Sequence, residues 1–196
     1  MCRNQRRLAY TLWPMAALFF ASAVLAKDVD FTANVIANSC KVTVSNGGRV
    51  ILGTVTPNYF AAGVTATTDY PGGQTFTLSI TNCVQLSTIS SVSQMQVEFT
   101  PQSGLFPLPS RQIFANDALV SGAQNVGVVI FSAQDGANRF NVLKTDGSSQ
   151  AVYPVTKSTL ENSTWTFYTR MQKIDASLGV TPGPVLSNVL VNVSYN

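Results

Sequence analysis

The residue types able to do chemistry in this chain are few. There is no histidine, which removes Ser-His-Asp and Cys-His nucleophile systems and the usual zinc sites. The three cysteines, Cys2, Cys40 and Cys83, are too far apart for a C-x-x-C redox motif, and no G-x-x-x-x-G-K-[ST] phosphate loop is present. A glycosidase needs only two placed carboxylates, and nine acids are available. Several of them stand beside turn residues, however: Asp69 precedes Pro71-Gly72, and Asp135 and Asp146 each precede a glycine. Hydrogen bonding within the turn is the ordinary role there. Tyr59, Phe60, Tyr70 and Tyr153 lie in loop-like text, where aromatic faces either stack on a sugar or pin the loop to the body. The sequence therefore assigns no catalytic residue, no metal ligand and no cofactor.

Residues 1–26 have the parts of a secretory signal: a basic start at Arg3, Arg6 and Arg7, an apolar run from Ala16 to Ala26, and small residues at Ala21, Ser22, Ala23 and Ala26. The apolar stretch is shorter than the ~20 residues of a membrane span. With cleavage after Ala26, the nine remaining Lys and Arg balance the nine acids. The mature chain is formally neutral, so it has no electrostatic footprint for nucleic acid or anionic membranes. Cys2 leaves with the leader. Cys40 and Cys83 are then an even pair in an exported chain, pointing to one disulfide, with two buried free thiols as the alternative.

The remaining text reads as one domain of short strands and polar turns. The strongest pattern is at the end, where Val189, Val191, Val193 and Tyr195 alternate with Leu190, Asn192, Ser194 and Asn196. The chain as given stops there, so one sheet neighbour of this strand must come from elsewhere in the chain or from another chain. At the other end Val29, Phe31, Ala33 and Val35 alternate against Asp30, Thr32 and Asn34. Between them Cys40 to Thr54 predicts a hairpin around Asn46-Gly47-Gly48, and Phe76 to Cys83 a strand with Phe76, Leu78 and Ile80 inward. Gln94 to Thr100, Val126 to Phe131, Phe140 to Lys144 and Thr164 to Lys173 are further strands, and no segment carries a helical period. This spacing predicts an antiparallel sandwich.

These pieces in this order resemble the pilin subunits of chaperone/usher fimbriae, most closely the type 1 group. The resemblance rests on the signal sequence, the alternating stretch running into Cys40, LGTV with Gly53, FTLSITNC ending at Cys83, VGVVIF followed by Asp135-Gly136, Gly183 fourteenth from the end, and Tyr195 penultimate. It covers nearly the whole mature chain.

The resemblance implies an incomplete immunoglobulin-like sandwich lacking its last strand and completed by a donor strand. Residues 1–26 would be the signal peptide, 27–38 the N-terminal donor-strand extension with Val29, Phe31, Ala33 and Val35 as its inserted set, and 39–196 the pilin domain. Cys40 and Cys83 would be the pilin disulfide. Gly183, Val189, Val191, Val193 and Tyr195 would form the acceptor-groove strand that a periplasmic chaperone and an outer-membrane usher recognise. Strand addition of this kind is a known mode of protein recognition. The implied partners also include neighbouring pilin subunits, and the implied route runs through the periplasm to a cell-surface fimbrium. Only Lys27 and Asp28 precede the inserted set, so the extension is short. Two other functions remain open at this point: a lectin-like tip adhesin binding host sugars through its loop aromatics, and a secreted hydrolase using carboxylates.

Overall fold

The computed structural model describes residues 29–34, 40–60, 63–83, 86, 91–137 and 139–196. The leader and Val35 lie outside the described residues. Among the described residues ten strands form two five-stranded sheets packed face to face. One sheet has the order β3 (Arg49–Val50), β1 (Val29–Asn34), β10 (Ser187–Tyr195), β5 (Gln94–Pro101), β8 (Ala151–Pro154). The other runs β2 (Lys41–Val44), β4 (Gln74–Thr81), β9 (Ser163–Lys173), β6 (Val126–Ser132), β7 (Phe140–Asn141). Every pairing between these strands is antiparallel except that of β1 with β10, which is parallel. The result is an all-β, immunoglobulin-like sandwich.

Alternation in the sequence sets which face goes inward. Phe76, Leu78 and Ile80 of β4 and Met95, Val97 and Phe99 of β5 are buried, while their neighbours along each strand are partly or wholly exposed. The two sheets meet where Phe99 lies edge-on to Phe167 with ring centroids 5.0 Å apart, and Phe76 stacks on Phe167 at 5.5 Å. Cys40 and Cys83 are bonded, joining the start of β2 to the end of β4 inside the core.

Three local expectations are corrected. The predicted hairpin around Asn46-Gly47-Gly48 is strand, turn and strand, but its arms are not paired: β2 lies on β4 in one sheet and β3 on β1 in the other. Asn46 (φ 54°) and Gly47 (φ 64°) adopt left-handed backbone, which turns the chain across the sandwich rather than back along it. Text read as loop around Tyr153 is strand β8. One helical turn, Lys157–Leu160, exists without any amphipathic period, because Thr156 caps it: its Oγ1 accepts from Thr159 N at 3.3 Å while Thr156 N donates to Thr159 Oγ1 at 2.8 Å.

Candidate functional site

The last strand is the centre of its sheet. On β10, Val189, Val191, Val193 and Tyr195 are buried, while Leu190, Asn192 and Ser194 are partly or fully exposed, as the sequence pattern requires. One edge is bonded along its length to β5, with Val189 opposite Pro101 and Tyr195 opposite Met95. The chain end is fastened to the same strand: Asn196 O accepts from Ser93 N at 2.7 Å, and Asn196 N donates to Gln94 O at 3.0 Å.

The other edge of β10 faces a slot bounded across the way by β3, and β1 occupies it. Val29, Phe31 and Ala33 stand in register with Ser187, Val189 and Val191. On its far side β1 reaches β3 at only two positions, Val29 with Val50 and Asp30 with Arg49. The alternating N-terminal stretch and the last strand are thus neighbours within one chain.

The start of β10 is held by residues the sequence reading did not single out. Asn116 Nδ2 donates to Ala123 O and Pro184 O at 2.9 and 3.0 Å, and its Oδ1 accepts from Leu186 N at 2.9 Å. Asp117 Oδ2 accepts from Asn188 N at 2.9 Å and Asn188 Nδ2 at 3.1 Å. These side chains stand in for a missing strand partner, a role that carries no periodic signal. Gly183 sits just upstream where a Cβ would come within 2.4 Å of both Ala123 N and Ser121 O, so only glycine fits that approach.

The segment leading into β10 borders an apolar cavity of about 190 Å³, lined by Val55, Phe60, Val126, Met171, Val180 and Val185 among others. The buried hydroxyls of Ser187 and Tyr195, at the two ends of β10, have no hydrogen-bond partner among the described residues. Burial also raises the Tyr195 hydroxyl above its ordinary pKa.

The other candidate chemistries are absorbed by structure. Asp135 Oδ1 accepts from Ala137 N, and Asp146 Oδ1 accepts from Ser148 N and Oγ, which holds its carboxyl below the usual range. Asp69 pairs with Arg139 at 3.3 Å. Tyr59 packs edge-on against Phe60 and Tyr70, and Tyr153 is buried against Trp165 with its hydroxyl on Ser132 Oγ at 2.7 Å. Burial pushes Tyr59 and Tyr153 up to about 12. Among the described residues no group of three metal-ligating side chains comes together, and no helix is long and apolar enough to cross a membrane.

The sequence is similar over 195 residues, at 44% identity and 98% of each chain, to the uncharacterized fimbrial-like protein YadK of Escherichia coli (strain K12). Among solved structures, the CupB6 tip adhesin from Pseudomonas aeruginosa is similar at 12% identity and a TM-score of 0.45, over 88% of this chain and 41% of that one. The family model for fimbrial proteins matches residues 29–196, the whole of the described sandwich. This chain belongs to the fimbrial protein family: it is a structural, non-enzymatic subunit of an extracellular pilus, assembled with other pilin subunits.

Proposed function

We propose that the subunit polymerises by strand exchange, giving Asp28 to Asn38 to one neighbour and receiving a strand along Val185 to Asn196. Before assembly a periplasmic chaperone strand fills the slot, and at an outer-membrane usher a neighbouring subunit's strand replaces it. Gly183 and Tyr195 belong to the segment both recognise. The fimbria so built serves cell adhesion.

The observation that carries this reading is the direction of β1. Cys40 lies at the pole where β10 ends: Lys41 pairs with Thr81, Ile80 with Ser163 at the start of β9, and the one-turn helix links Ser163 back to Pro154, opposite Gln94 and the chain end. Five residues, 35–39, connect Asn34 to Cys40, a reach of at most about 20 Å. An antiparallel β1 would finish near Ser187, about 26 Å back along β10. The tether therefore keeps this chain's own segment from covering the start of β10 in the antiparallel direction, and an antiparallel partner along the whole strand has to come from another chain. The disulfide at Cys40 anchors the domain where the exchangeable segment ends, so its departure leaves β2 in place.

The test is deletion of Lys27 to Ala37 followed by a fibre-incorporation assay. The shortened subunit is expected to accept a donor and to fail to enter fibres behind another subunit. Unchanged incorporation would remove the donor role.

A further inference from the structure

We infer that Asn46 is a self-modification site: with Gly47 it closes to a cyclic imide, loses ammonia, and reopens in water as aspartate or isoaspartate. The rate is set by how often the turn between the two sheets opens. Neither step depends on strand exchange.

The chemistry belongs to the pair. The Gly47 nitrogen attacks Cγ of Asn46; a C–N bond forms as the Cγ–Nδ2 bond breaks, and the Gly47 amide proton leaves with the ammonia. One water then adds to the ring. Cleavage at Cγ gives aspartate, and cleavage at the α-carbonyl gives isoaspartate, with one methylene more in the backbone. Nothing is oxidised or reduced. A side chain on the following residue hinders the attack, and Asn46 is the one asparagine in the sequence that precedes a glycine. Asn82, Asn125 and Asn162 share its left-handed backbone, but Cys83, Val126 and Ser163 follow them. Asn46 and Gly47 are both exposed, and apart from its chain neighbours nothing lies within 4 Å of the place a Gly47 Cβ would take.

The fold restrains the reaction. At an Asn46 ψ of 32° the Gly47 nitrogen is turned away from the Asn46 side chain, so ring closure waits on rotation of that bond. Opposing it, Arg49 N donates to Asn46 O and Thr77 N donates to Ser45 Oγ at 3.0 Å, with Val44 and Val50 buried on either side of the turn. The hold is short. β3 is two residues long, and among the described residues its ladder is with β1 alone. A segment with so few ladder bonds opens more readily than strands at the centre of a sheet. The product acts on the same place: an added methylene lengthens the path from β2 to β3, where Val50 faces Val29. The new carboxylate arises in the cleft that Asn46 lines with Arg49, Val50 and Gln74.

The test incubates the full mature chain, residues 27–196, in mildly alkaline buffer and follows its tryptic peptide 42–49 by mass spectrometry, with isoaspartyl methyltransferase labelling to separate the two products. The same chain in denaturant supplies the unrestrained rate. The folded protein is expected to convert at this peptide ahead of every other asparagine, at about a tenth of the denatured rate or less. Val50→Ala, which loosens β3, is expected to recover much of that difference, and so is urea kept below the unfolding midpoint, which needs no substitution. Asn46→Gly, which suits the left-handed backbone, is expected to remove isoaspartate from the peptide. A folded chain still unconverted, with and without low urea, when the denatured chain has converted fully would overturn the site. Equal rates for folded and denatured chains would overturn the restraint by the turn.

Discussion

Val29 stands opposite Ser187 in a parallel ladder and, on its other side, opposite Val50 in an antiparallel one. That single residue therefore bridges the two walls of the slot. The walls themselves are held by independent means: β10 by β5, Asn116 and Asp117, and β3 by the left-handed turn that follows β2. Removing the strand between them leaves each wall with its other attachments, which is the property an exchangeable strand requires.

Gly183 is expected to tolerate no side chain. In Gly183→Ala the new methyl meets backbone atoms of Ser121, Gly122 and Ala123, which cannot rotate away as a side chain would. The expected loss is about 1 to 3 kcal/mol, read as a lower urea midpoint. Because the clash lies beside the segment leading into β10, donor-peptide binding should weaken as well. Wild-type stability in the alanine variant would show that the loop at 121–123 yields freely.

Arg170 is fully buried in β9, yet none of its hydrogen bonds is to a carboxylate. Its Nη2 donates to Thr65 O at 2.8 Å and Thr68 O at 2.7 Å, and the guanidinium lies 5.4 Å from the centre of the Phe131 ring. It fastens the long segment after β3 to the outer face of its sheet. Arg170→Ala should cost about 2 to 4 kcal/mol, through a cavity and two unpaired carbonyls. It should also open the chain around Thr65 to limited proteolysis while leaving the slot able to bind a donor peptide. An unchanged proteolysis pattern would contradict the fastening role.

Alkaline pH should destabilise the fold through Tyr59 and Tyr153, both pushed up to about 12 from an ordinary value near 10. A group with a raised folded pKa lends its full stability below the unfolded value and loses it as pH climbs through the folded one. Stability should therefore be flat below about pH 10 and fall between about 10 and 12. Tyr153→Phe should flatten part of that fall. Tyrosinate absorbance that rises fully at pH 10 in the folded protein would exclude the shift.

Much of this molecule was legible in its sequence because alternation is a local property. The buried sets on β4, β5 and β10 follow from side chains two apart pointing the same way, whatever the rest of the chain does. The burial of Arg170 is not legible for the complementary reason: it falls on the polar side of β9's alternation, but the segment through Thr65 and Thr68 covers that face. Tyr153 was placed in a loop because its strand is only four residues long, too short to show a period.

The sequence by itself determined that a stretch near each end alternates as a strand does, that the chain has no histidine, and that its cysteines are too far apart for a C-x-x-C motif. Only the tertiary structure decided that the two ends meet, that β1 lies parallel to β10, and that β2 and β3 belong to opposite sheets. Patterning specifies which side of a strand is inward but not which strand lies next to it. Neighbour and direction depend on how far the connecting chain can reach, and here the five residues ahead of Cys40 are too few for β1 to lie antiparallel over the positions of β10 that it occupies.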